Sequence, residues 1–66
     1  MVSKTELEII EIFHNKNMEQ DTAIGFMCML RQSGCCEQMY NWLKKKHSAS
    51  IDEIQEEVFR LYDENN

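Results

Sequence analysis

The sequence predicts an all-α fold, a compact bundle of four short helices at about residues 4–16, 18–32, 36–46 and 51–64 in a single domain spanning 1–66. Three observations lead there. Two capping boxes open helices, at Ser3-Lys4-Thr5-Glu6 and Ser50-Ile51-Asp52-Glu53, where a hydroxyl accepts the N3 backbone N–H and the Glu reaches back to the cap's own N–H. Ser33-Gly34 supplies a stop, because glycine takes the left-handed conformation after a helix at little cost. Proline is absent from the 66 residues, so none of the four segments is interrupted.

The first segment follows the Ser3 box. Val2, Leu7, Ile9, Ile10, Ile12 and Phe13 sweep well over half of its circumference, leaving only Glu8, Glu11 and Asn15 as a clear polar strip. The second is read from Asn17-Met18-Glu19-Gln20, a looser capping pattern with Asn17 as the cap. Its stretch Ala23 to Leu30 is apolar all round, as expected of a helix enclosed on most sides. Gly25 within it favours close approach of another helix, either the first or that of a second copy, at a cost of up to about 1 kcal/mol relative to alanine. In the third segment Cys36, Met39, Tyr40, Trp42 and Leu43 share one side, and Trp42 is the expected largest contributor to the core. The fourth is simpler. Ile51, Ile54, Val58, Leu61 and Tyr62 fall in one arc, with Glu53, Glu56, Glu57, Arg60 and Glu64 opposite.

Composition narrows the function. A chain of this length has one small core, and such scaffolds often rely on disulfides, metal or oligomerisation. Three cysteines, an odd number, argue against a disulfide framework. The acidic, polar start does not read as a signal peptide, and the longest apolar run is far below the roughly 20 residues that span a bilayer, so the expected location is cytoplasmic. Net charge is −5, distributed unevenly: residues 28–47 are net basic and residues 48–66 strongly acidic. Much of this placement suits the helix dipoles, with acids in first turns and Lys44, Lys45 and Lys46 ending the third helix.

Catalysis has little support, since no phosphate loop, nucleophile elbow or paired-histidine motif occurs. Cys36 lies near a helix start where a thiolate is favoured, yet no base sits beside it in sequence. Cys28, Cys35, Cys36 and His47 lack the short-spaced pairs of a zinc site, so no metal or other cofactor is expected and the cysteines read as packing residues. His14 reads as an edge residue of the first helix rather than a ligand or base.

The expected role is therefore a non-enzymatic protein–protein interaction module, regulatory or adaptor in kind. The apolar excess on the first two helices predicts a homodimer through them, with Ile9, Ile12, Met18 and Met29 at the interface, whereas Met27 and Met39 read as core. Another protein with a basic or apolar surface is the further expected partner, the acidic candidates for docking it being Glu53, Glu56 and Glu57. The alternative is a helix-turn-helix-like nucleic-acid-binding regulator over residues 30–46. It would use Gln38 and Asn41 to read bases and Lys44 and Lys45 to hold phosphate. The net acidity argues against it, and no membrane association is expected.

Overall fold

The computed structural model describes residues 3–65; Val2, assigned above to the apolar arc of the first helix, lies outside them. Four helices follow one another: α1 (Lys4–Asn15), α2 (Gln20–Ser33), α3 (Cys36–Lys45) and α4 (Ile51–Asn65). No strand occurs among the described residues.

Both capping boxes form. The Ser3 Oγ accepts the Glu6 N–H at 3.1 Å while the Glu6 carboxylate accepts the Ser3 N–H at 3.0 Å. Ser50 and Glu53 repeat the exchange at 3.2 and 3.0 Å. Gly34 closes α2 at φ +69°, the left-handed stop read from the sequence.

The start of α2 differs from the expectation. Asn17 is not its cap: Asn17 sits at φ +62° just beyond α1, donating its N–H to the His14 carbonyl. Asparagine is among the few non-glycine residues that tolerate this conformation, so it ends one helix rather than beginning the next. Met18 then turns inward with its N–H on the Phe13 carbonyl, and α2 begins from Glu19, which makes no side-chain cap.

α2 packs against each of the other three helices, and α1 also packs on α3. One core results, with Ile9 and Phe13 from α1, Phe26, Met27 and Leu30 from α2, Met39 and Leu43 from α3, and Ile54, Val58 and Leu61 from α4. Phe13 and Phe26 meet edge to face at its centre, their ring centroids 6.2 Å apart. Trp42 is only half-buried against this cluster, with the Lys46 ammonium 5.8 Å from its ring. Phe13, fully enclosed, is the largest fully buried side chain in its place. The Lys16 ammonium fastens the end of α1 to the α3–α4 turn by donating to the His47 and Ala49 carbonyls at 2.9 and 2.8 Å.

α2 is central but not enclosed. Ile24, Gly25 and Cys28 are exposed on its outer side despite the unbroken apolar run. A Cβ built on Gly25 meets nothing within 4 Å, so this glycine does not serve close packing against α1.

Candidate functional site

The predicted excess of apolar surface on α1 and α2 is present, but on other residues than those named for it. Ile9 is completely enclosed and cannot line an interface, and Met18 is nearly enclosed and belongs to the core. Ile12 and Met29 are half-buried against that core. The exposed apolar side chains are instead Leu7 (57%), Ile10 (40%) and Ile24 (53%), with Cys28 exposed beside them.

These residues share one face for a geometric reason. Ion pairing of Glu6 with Arg31 sets the start of α1 beside the end of α2, so the two helices run antiparallel. At 100° per residue, Leu7, Ile10 and His14 then fall on the side of α1 that adjoins Ile24, Cys28 and Arg31 of α2. A groove of about 270 Å³ opens between them, walled by Ile10, Ile24 and Cys28 over Ala23 and Met27, with Gln20 and Arg31 at its ends. A smaller recess of about 150 Å³ shares Ile10, Gln20 and Ala23 with it and reaches His14 and Met18.

Glu6 organises this face from its edge. Its carboxylate is held below its ordinary value, first by the hydrogen bond from Arg31 and then by the Ser3 N–H. The same contact raises Arg31 above its ordinary value. Only the Arg31 Nε is engaged there, and the side chain is half exposed.

On α4 the acidic residues divide into two stripes. Glu53 is occupied as a cap, and Glu57 is half-buried with its carboxylate on Arg60 at 2.6 Å, while Glu64 takes the same guanidinium from the other side at 2.9 Å. Of the three acids expected to dock a partner, only Glu56 is exposed and, among the described residues, engaged neither in a cap nor in a salt bridge. Asp52 and Asp63 share that condition and lie on its side of the helix, next to Phe59, which is 44% exposed and contacts Phe26 edge to face. Phe59 escaped the sequence reading because it borders the apolar arc of α4 without falling inside it.

Gln38, Asn41, Lys44 and Lys45 are exposed on the outer side of α3, as a recognition helix would require. Lys44 leans over Tyr40 at 5.2 Å. Glu37, on the same side, accepts a hydrogen bond from Thr5 at 2.6 Å and keeps a carboxylate there.

The cysteines are dispersed. Cys28 is exposed, Cys35 is buried with its thiol toward the Leu61 and Ser33 carbonyls, and Cys36 is half-buried at the start of α3. Burial pushes the Cys36 thiol up, reinforced by the nearby Glu6 charge, so the helix start does not produce a thiolate there. No three His, Cys, Asp or Glu side chains converge as metal ligands among the described residues. A recess of about 430 Å³ lies at the α3–α4 turn, lined by Lys45, Lys46, His47, Ser48, Ala49 and Glu53. Among the described residues no helix is long and apolar enough to cross a membrane.

Compared with protein-family models, curated proteins and solved structures, the chain matches none.

Proposed function

We propose that this protein is a small non-enzymatic interaction module that self-associates through the outer face of α1 and α2. One observation carries the reading: Leu7, Ile10, Ile24 and Cys28 are exposed together on a single face instead of being scattered. Isolated exposed apolar residues are ordinary on any surface, but a contiguous group across two helices, with a groove between them, marks a contact surface. A second copy suits it because oligomerisation also compensates for the small core of so short a chain. Sedimentation equilibrium tests this. A mass near twice 7.9 kDa at micromolar concentration supports it, and a mass of 7.9 kDa over a wide concentration range rejects it.

A second reading concerns α4, where Phe59 is exposed beside Asp52, Glu56 and Asp63. An aromatic anchor bordered by unpaired carboxylates fits a basic partner segment that carries one apolar side chain. Such a partner, captured on the immobilised chain, is released by modest salt and lost with Glu56→Lys. Retention under both conditions rejects this docking mode.

A further inference from the structure

We infer that the self-association surface is an antiparallel pairing of α2 with α2 of a second copy, sealed at each end by Asp21 of one chain and Arg31 of the other. The inference rests on the self-association proposed above and assigns it a geometry. Asp21, Ile24, Cys28 and Arg31 are all exposed, and their 3-4-3 spacing sets them in one row along the outer side of α2. Read along the helix the row is acid, apolar, apolar, base, spanning about 15 Å at 1.5 Å per residue.

That order is self-complementary in one direction only. With two copies antiparallel about a two-fold axis between Ile24 and Cys28, Asp21 meets the second copy's Arg31 at both ends, and Ile24 meets Cys28 twice in the middle. A parallel pairing sets acid on acid and base on base. The 3-4-3 spacing is the same from either end, so all four contacts form in one register, as an isologous interface requires.

Neighbouring features of the face agree with this seam. The groove beside the row, between Ile10 and Ile24 over Met27, is open to receive an aliphatic side chain from the second copy. Arg31 gives only its Nε to Glu6 and is half exposed, which leaves its terminal nitrogens to donate to a second carboxylate. Asp21, in the first turn of α2, takes part in no salt bridge among the described residues.

The test is the dimer dissociation constant from sedimentation equilibrium for wild type, Asp21→Arg, and the exchanged pair Asp21→Arg with Arg31→Asp. At low salt Asp21→Arg raises the constant about tenfold, since two attractive end contacts become repulsive. Salt then acts oppositely on the two proteins: about 0.5 M NaCl weakens the wild-type dimer and strengthens that of Asp21→Arg. The exchanged pair restores the wild-type constant. Should Arg31→Asp disturb folding through its loss from Glu6, visible in the far-ultraviolet circular dichroism, the opposite salt responses still decide. A wild type that stays monomeric overturns self-association itself. A wild-type dimer that Asp21→Arg leaves unchanged or tightens overturns the antiparallel seam alone.

Discussion

Ile9 and Ile24 are the same residue type in adjacent helices, yet one is wholly enclosed and the other more than half exposed. Truncation separates their roles. Ile9→Ala removes methyl groups from a packed core and costs about 2–5 kcal/mol in urea denaturation. Ile24→Ala stays within about 0.5 kcal/mol for the monomer, because an exposed site leaves no cavity. Equal losses at the two positions would contradict the assignment of core and surface. The sequence displays both as apolar positions at helical spacing and cannot rank them, since the ranking depends on where α3 and α4 settle. α1 meets α3 on its Thr5 and Ile12 side, which leaves Leu7 and Ile10 uncovered. The capping serines were legible because their hydrogen bonds close within three residues. Their glutamates also set an acid limit. Glu6 and Glu53 both titrate below the usual 4.5, through Arg31 and Ser50 respectively. Their contribution to stability is complete above that value and disappears as pH falls through the lowered ones. The urea midpoint therefore declines below about pH 4.5, and more shallowly in Glu53→Gln; identical acid profiles would refute the link.

At the scale of elements, α2 departs most from its sequence pattern. An apolar run from Ala23 to Leu30 reads as a helix covered all round, and in a larger protein it would be. Among the described residues three other helices are there to cover it, and the side bearing Ile24, Gly25 and Cys28 is left open. The boundary before it departs from its sequence pattern for a related reason. Asn17 is a good cap by type, but Met18 is drawn into the core, and this fixes the chain direction so that Asn17 closes α1 instead. Gly25 offers a direct check. With helical backbone and open space around its missing Cβ, Gly25→Ala raises monomer stability by about 0.5–1 kcal/mol in denaturant titration. A loss of stability would mean that the glycine permits a close contact after all. Gly34→Ala goes the other way by about 1 kcal/mol, since its φ of +69° strains any side chain.

For the whole molecule, net charge bears on the nucleic-acid alternative. A chain at −5 has no field to gather polyphosphate, and the outer side of α3 sets Glu37 among Gln38, Asn41, Lys44 and Lys45. No duplex DNA binding is expected at low micromolar protein in physiological salt. A saturable, salt-sensitive shift abolished by Lys44→Glu plus Lys45→Glu would reinstate the nucleic-acid reading. The fold class could be read before any coordinates because caps, stops and periodicity are local. The sequence locates an apolar excess on α1 and α2 but not its outer residues, because which of them remain outside is a property of the assembled bundle. Sedimentation equilibrium on Ile24→Glu beside wild type decides whether this face joins two chains. A helical, cooperatively folding Ile24→Glu monomer of 7.9 kDa is expected where wild type has twice that mass. Two proteins with the same mass at every concentration would contradict it.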